Sequence, residues 1–182
     1  MNILIIDNGS GFIKELTNSL NGNDVHIEKF GHINLKDINN FDKIVLSGGS
    51  FPVLSYKKEY HLERRLIKES KVPVLGICLG FELIATTFGE KLERMEAKEK
   101  EIIEVHKIKE DEIMGRLNNF KVFESHRWIL KKCKKLTPLA ESIKGIEIIR
   151  HPKRDLYGVQ FHPEMFHRKT DGMTILNNFL QL

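Results

Sequence analysis

Residues 73–89 read PVLGICLGFELIATTFG, and this segment is the strongest indicator of the fold. The apolar run over Pro73–Ile77 is typical of a buried strand, and the run over Leu79–Phe88, ended by Gly89, is typical of a helix. Cys78 stands between them, with a glycine two residues away on each side. A tight turn from strand to helix needs small neighbours and exposes the central side chain above the sheet. The stretch therefore predicts a nucleophile elbow.

The same alternation of short apolar runs and longer amphipathic runs continues on the N-terminal side. Strands are predicted at Asn2–Ile6, Val25–Phe30 and Lys43–Leu46, and helices at Phe12–Leu20 and Tyr56–Glu69. Strands that alternate with helices pair in parallel and have both sheet faces covered. The predicted fold class is therefore α/β, a three-layer domain with a mostly parallel central sheet and helices on both faces.

The C-terminal half contains several strand-like runs in succession and one closing helix. The predicted strands are Glu101–Ile108, Asn119–Glu124, Ile146–Arg150 and Tyr157–Phe161, and the predicted helix is Asp171–Leu180. This pattern predicts a small antiparallel addition to the sheet. Because there is no repeat, low-complexity tract or linker, we predict a single domain over residues 1–182.

Composition excludes several classes of protein. With 182 residues, 41% hydrophobic and 30% charged, the chain can bury a core and is not disordered. Its apolar runs fall far below the roughly 18 to 20 residues of a membrane span, and Met1 leads directly into a strand without a secretory signal. The net charge of +4 arises from 29 basic and 25 acidic residues spread along the chain. We therefore expect a cytoplasmic protein with neither a membrane nor a nucleic-acid partner.

A thiol nucleophile needs a base, and the base needs an orienting group. His162 and Glu164 supply both two residues apart, directly after a predicted strand. The start of the helix beside Cys78 is expected to favour the thiolate, and the Leu79 amide is placed to donate to an oxyanion. The alternative is that Cys78 is a small buried residue at a glycine-rich turn.

Three other patterns are weaker indicators of chemistry. The segment Asn8–Gly11 follows a strand and opens a helix, but it lacks both the glycine spacing and the lysine of a phosphate-binding loop. His151, His162 and His167 have no spacing typical of a metal site, so no metal is predicted. Cys133 lies in a basic run that is expected to be solvated surface. The sequence predicts no cofactor.

Taken together, these residues resemble the class I, or triad-type, glutamine amidotransferases. The matching segments occur in family order along the whole chain: Asp7–Ser10, Val45–Gly49, Pro73–Gly80, Ser125–His126 and Tyr157–Glu164. Within the family, these segments are most similar to those of the glutaminase subunits of two-subunit GMP synthases. The fold that the resemblance implies is flavodoxin-like.

The resemblance also implies a function and a set of site residues. Cys78, His162 and Glu164 would hydrolyse the side-chain amide of glutamine through a cysteine thioester. The amides of Gly49 and Leu79 would bind the oxyanion, and the substrate contacts would be Gly48, Glu82, Ser125, His126 and Arg127. Ammonia would pass to a separate ATP-dependent synthetase subunit, here that of GMP synthase, which converts XMP to GMP.

Several positions depart from the family pattern, and two of them are among the expected substrate contacts. Glu82 stands where the family tends to have Gln, and Arg127 replaces a small or acidic residue near the backbone end of the substrate. A carboxylate in place of a carboxamide removes two donors and adds a charge. Three alternatives therefore stay open: a γ-glutamyl peptide hydrolase, another C–N hydrolase that acts alone, and a regulatory paralogue without catalysis.

Overall fold

A nine-stranded sheet runs through the protein in the order β2-β1-β3-β4-β11-β10-β9-β6-β7, and a two-stranded sheet pairs β5 with β8. The computed structural model describes residues 1–182. In chain order the elements are β1 (Asn2–Asn8), α1 (Ile13–Ser19), β2 (Asp24–Lys29), a 3₁₀ turn (Ile38–Asn40), β3 (Lys43–Gly49), α2 (His61–Glu69), β4 (Val74–Ile77), α3 (Leu79–Thr87), β5 (Glu93–Arg94), β6 (Glu101–Lys107), β7 (Asn119–Glu124), β8 (Trp128–Ile129), β9 (Thr137–Glu141), β10 (Ile146–Arg150), β11 (Leu156–Val159) and α4 (Gly172–Gln181).

The sheet has a parallel part and an antiparallel part. Strands β2, β1, β3, β4 and β11 pair in parallel. Beyond β11, the strands β10, β9, β6 and β7 each pair antiparallel with their neighbour. The predicted three-layer α/β fold with an antiparallel addition is confirmed. The carboxyl ends of β3, β4 and β11 lie side by side, which brings the loops that follow them together.

Helices cover both faces of the sheet, as the alternation of buried residues requires. In β1, Ile3 and Ile5 belong to one hydrophobic cluster with side chains of α1 and α4, and Leu4 and Ile6 belong to a second cluster with side chains of α2 and α3. All four are no more than 1% exposed. Successive strand side chains point to opposite faces, so a strand that is apolar at every position needs a core on each side.

Helix α2 and the strands β5, β8 and β9 differ from the sequence prediction; β5 and β8 have two residues each, too few to show a pattern. Helix α2 begins at His61 rather than at Tyr56, because residues 51–60 form turns and the fully buried Tyr60 donates its hydroxyl to the Phe51 carbonyl. Strand β9 has no counterpart among the predicted strands; it contains Pro138, which has no N–H for a ladder and therefore weakens a strand pattern. None of the helices combines the length and the apolar character that a bilayer crossing demands.

Candidate active site

A single residue, Cys78, joins β4 to α3. Its backbone has φ 51° and ψ −100°, with a positive φ that a residue with a side chain rarely adopts. Its N–H donates to the Val159 carbonyl at 2.8 Å, and its carbonyl accepts from the Glu82 N–H at 3.0 Å. Such strain, on the order of 1 to 3 kcal/mol, persists where the surrounding structure fixes it, and it is common at active sites. The predicted sharp turn from strand to helix is present.

The glycines that flank Cys78 allow α3 to start against the sheet. A Cβ on Gly76 would lie 2.5 Å from the Gly80 carbonyl carbon, and a Cβ on Gly80 would lie 2.5 Å from the Leu46 carbonyl oxygen. Real Cβ atoms do not approach backbone so closely. The spacing of glycines around Cys78 is therefore a consequence of close packing between β3, β4 and the first turn of α3.

His162 follows β11 and is paired with Glu164. The backbone N–H of His162 donates to the Phe123 carbonyl at 2.8 Å. Nδ1 of the His162 ring lies 2.8 Å from Oε1 of Glu164. Both side chains are buried, and the Phe12 ring packs edge-on against the imidazole with centroids 4.8 Å apart. Because Oε1 of a carboxylate accepts a hydrogen bond from Nδ1–H, the other ring nitrogen is left free to act as a base.

Gly48, near the end of β3, contacts both the imidazole and the cysteine. A Cβ on Gly48 would lie 2.7 Å from Cε1 of His162 and 3.6 Å from Cβ of Cys78. Any side chain at this position would therefore crowd His162. The absence of a side chain at Gly48 lets the imidazole and the cysteine approach the same point.

The thiol of Cys78 lies at one wall of a cleft of ≈ 310 Å³. Thirteen residues line it: Gly49, Ser50, Phe51, Pro52, Cys78, Leu79, Glu82, Arg94, Lys98, Ser125, His126, Arg127 and Trp128. The cleft thus brings together both predicted oxyanion residues and four of the five predicted substrate contacts. Gly48 is the exception. A pocket that combines a cysteine with two arginines and a lysine fits a small anionic or zwitterionic ligand.

Burial controls the protonation state of the cysteine, and this corrects the expected thiolate. The pKa of Cys78 is raised well above its usual 9.0, first because of burial and then because of Glu82 and Glu164; the Leu79 N–H and Lys98 oppose the shift. At neutral pH the group is therefore a thiol. The start of a helix favours a thiolate only where water or cations compensate for the loss of solvation.

Glu82 lies beside the cysteine and is only 4% exposed. Burial raises its pKa to about 8, and the nearby Gln160 side chain opposes this shift. The Gln160 amide makes no hydrogen bond of good geometry, so its effect on Glu82 is a polar contact only. At pH 7 the Glu82 carboxyl is mostly protonated, so it offers one donor and one acceptor, much as a glutamine side chain does.

Sequence reasoning missed several groups near the cleft. Arg94 and Lys98 line it, but they lie in a charged segment without a motif or periodicity that would indicate a site. Trp128 was not missed: from its position beside His126, the sequence left open whether it packs in the core or lies over the substrate pocket. The structure places it in the lining of the cleft, paired with Arg94 between β8 and β5.

A buried polar cluster adjoins the cleft and was likewise missed. It consists of Glu124, His126 and Glu147, and its His126 is also a lining residue of the cleft. The three residues are spread over 24 positions of sequence without a recognisable spacing. They are brought together by the segment after β11, in which the Gln160 N–H donates to the Glu147 carbonyl of β10 and the His162 backbone N–H donates to the Phe123 carbonyl of β7.

Cys133 lies outside the cleft. Its thiol donates to Glu90 at 3.6 Å, and its pKa is raised to about 12, first by burial and then by that carboxylate. The Glu90 side chain also accepts backbone N–H groups from Lys134, Lys135 and Leu136, which fixes the basic run against the protein. The second cysteine is therefore part of a structural contact.

Comparison with known proteins identifies the family of the chain. Residues 4–182 match the family model described as glutamine amidotransferase class-I, so the chain belongs to the class I glutamine amidotransferases. Among its relatives is the glutamine-hydrolysing GMP synthase subunit of Pyrococcus abyssi, 37% identical over 99% of this chain and 97% of that protein. The corresponding protein of Methanococcus vannielii is 34% identical over 99% of this chain and 96% of that protein.

A solved structure extends the likeness to three dimensions. The crystal structure of a candidate GMP synthase subunit from Thermoplasma acidophilum superposes with a TM-score of 0.88. It is 27% identical in sequence, and the match covers 98% of this chain and 92% of that one. The antiparallel extension and the parallel half of the sheet are therefore both features of this fold.

Proposed function

We propose that the chain hydrolyses the side-chain amide of glutamine, with Cys78 as nucleophile, His162 as general base and acid, and Glu164 as the group that orients the imidazole. The observation that carries this proposal is the 2.8 Å contact between Glu164 and Nδ1 of His162, with Gly48 packed against both that ring and Cys78. A buried thiol with a raised pKa needs such a base, since it does not ionise on its own at neutral pH.

The chemistry proceeds in two halves. His162 takes the proton of the Cys78 thiol as the sulfur attacks the carboxamide carbon, and the oxyanion lies between the amides of Gly49 and Leu79. His162 then gives the proton to the leaving nitrogen, so that ammonia departs and a γ-glutamyl thioester remains. Water, deprotonated by His162, attacks this thioester. Glutamate leaves, and the thiol regains its proton.

The remaining lining residues would bind the substrate away from the reacting bond. Ser125, His126 and Arg127 line the same cleft as Cys78, and the Arg127 guanidinium suits an α-carboxylate. Protonated Glu82 replaces the amide that the family tends to have there. Because it is uncharged at neutral pH, it does not repel the oxyanion formed at Cys78.

We further propose that the ammonia passes to a separate ATP-dependent synthetase subunit, which uses it to convert XMP to GMP. This is supported by the names of the relatives, which are glutamine-hydrolysing GMP synthase subunits matched over 96 to 97% of their length. The acceptor chemistry would reside on the partner.

The test is ammonia transfer in the reconstituted pair. The chain is mixed with a GMP synthase synthetase subunit, XMP, ATP and Mg²⁺, and GMP is measured with either glutamine or ammonium as nitrogen source. We expect both sources to support GMP with the unmodified chain, and only ammonium to do so with Cys78→Ala. Ammonia release from γ-glutamyl peptides in preference to glutamine would instead favour a peptide hydrolase. An unreactive Cys78 in the presence of the partner would favour a regulatory paralogue.

A further inference from the structure

The buried polar cluster beside the cleft is built on two strands. Glu124 ends β7, His126 follows two residues later, and Glu147 lies on β10. The side chains of Glu124 and His126 are 0% and 1% exposed, and Glu147 is 1% exposed as a whole residue. Carboxylates are almost never fully buried unless they are paired or bind a cation.

The three side chains converge on one point. One potential ligand atom from each lies within 4.8 Å of the other two. Oε1 of Glu124 is already 3.1 Å from Nε2 of His126. Two ligands of a tetrahedral Zn²⁺, each at about 2.1 Å from the ion, are about 3.4 Å apart. Small rotations of the Glu147 side chain would therefore complete a three-ligand set.

In both Glu124 and Glu147, one carboxylate oxygen has a polar partner and the second oxygen has none. Oε1 of Glu147 accepts from the Ser142 hydroxyl at 2.8 Å, and Oε2 of Glu124 lies 3.4 Å from Nζ of Lys144. The other oxygen of each side chain, like both His126 nitrogens, makes no hydrogen bond of good geometry although it is buried. Side chains that bind a metal ion are commonly oriented in this way, by a hydrogen bond to one atom while another atom stays free to bind the ion.

Few positive charges face the cluster. Lys144 is the one basic group paired with this cluster, and its ammonium also contacts Glu99 and Glu101, at 2.6 Å in the case of Glu101. One positive charge is thus shared among several carboxylates. Burying like charges together is costly, and burial together with Glu124 raises the pKa of Glu147, so that this side chain holds a proton which a bound cation would replace.

We propose that Glu124, His126 and Glu147 bind one divalent transition-metal ion, Zn²⁺ or Mn²⁺, beside the cleft. Two carboxylates and one imidazole suit these ions, whereas Mg²⁺ prefers oxygen ligands and retains its water. The ion would hold His126, and with it the neighbouring Ser125 and Arg127, in place along the cleft. This role is structural and does not depend on the proposed glutamine chemistry.

The experiment measures metal binding by the chelator-treated full chain. Zn²⁺, Mn²⁺ and Mg²⁺ are titrated by calorimetry, and thermal unfolding is followed with and without each ion. The variants are Glu147→Gln and Glu124→Gln, which each lose a charged ligand, and Ser142→Ala, which loses an orienting contact. Glu104→Gln, at an exposed position on β6, is the matched control.

We expect one tight Zn²⁺ or Mn²⁺ site in the unmodified chain and in Glu104→Gln, with a rise in Tm on binding. Affinity should fall by at least about tenfold in Glu147→Gln and Glu124→Gln, and by about tenfold in Ser142→Ala. Metal-free Glu147→Gln should be at least as stable as the metal-free unmodified chain, which shows that it folds. No uptake by the unmodified chain, equal uptake in all variants, or a preference for Mg²⁺ would overturn the proposal.

Discussion

Nδ1 of His162 lies 2.8 Å from Oε1 of Glu164, and both side chains are buried. The residue between them, Pro163, is held by the start of α4: a Cβ on Gly172 would lie only 2.6 Å from its Cα. The pair is therefore fixed from two sides. Pro163 packs against α4, and the backbone N–H of His162 donates a hydrogen bond to the Phe123 carbonyl on β7. An imidazole held in this way needs little reorganisation when it takes a proton from a thiol.

Removing the charge of Glu164 should slow the reaction. In Glu164→Gln the side chain keeps its size, but it no longer stabilises a protonated His162 and can favour the wrong tautomer. We expect kcat to fall by about 10²- to 10⁴-fold with little change in KM. Steady-state glutaminase assays with the synthetase partner present test this, with Glu104→Gln as the exposed control. An unchanged kcat would remove Glu164 from the mechanism.

Filling the space at Gly48 should displace the imidazole. The added Cβ of Gly48→Ala would lie 2.7 Å from Cε1 of His162, so the ring must shift. A displacement of about 1 Å at a reacting group costs about 10²-fold in rate. Gly11→Ala is the matched control, because a Cβ there meets nothing within 4 Å. Equal kcat values for the two variants would show that Gly48 does not set the position of His162.

The ionisation of Glu82 should limit activity at high pH. Its pKa of about 8 means that it becomes negative beside Cys78 as the pH rises through that value, and the added charge further raises the pKa of the thiol. Glu82→Gln stays neutral at every pH. We expect the ratio of kcat/KM for Glu82→Gln to that of the unmodified chain to rise several-fold between pH 7 and pH 9. A ratio independent of pH would contradict the assignment.

The same carboxyl should make stability depend on pH. Its pKa moves from an ordinary 4.5 to about 8 on folding, so the folded state binds the extra proton more tightly. The contribution of Glu82 is therefore most favourable below pH 4.5 and is lost as the pH rises toward 8. As the pH rises from 5 to 8, the free energy of unfolding of Glu82→Gln should increase by on the order of 3 kcal/mol relative to that of the unmodified chain. Urea unfolding of both proteins at pH 5 and pH 8 gives their free energies of unfolding. If the difference between the two proteins were the same at both pH values, Glu82 would not be buried and protonated.

The predictable part of the protein is the part governed by local constraints. Gly76 and Gly80 are required by close backbone approach within the elbow itself, so the sequence around Cys78 indicates the turn and the parallel strand that precedes it. The apolar runs of β1, β3 and β4 indicate strands with both faces covered for the same reason. The position of His162 follows from its place after β11, next to β4.

What sequence could not indicate depends on distant packing. The neutral state of Cys78 results from its burial among side chains that come from several elements, and this outweighs the helix start beside it. The late start of α2 depends on Tyr60 being buried and bonded to Phe51. The cluster of Glu124, His126 and Glu147 depends on backbone hydrogen bonds from residues 160–162 to both β7 and β10, which lie far apart in the sequence.

In the proposed mechanism, Cys78 carries the γ-glutamyl group. The most direct measurement is rapid acid quenching of the chain during turnover of labelled glutamine with the synthetase partner, followed by mapping of the adduct. We predict a labelled thioester on the peptide that contains Cys78, present in Cys133→Ala and absent, together with ammonia release, in Cys78→Ala. Ammonia release that persists in Cys78→Ala, or an adduct on another residue, would show that Cys78 is not the nucleophile.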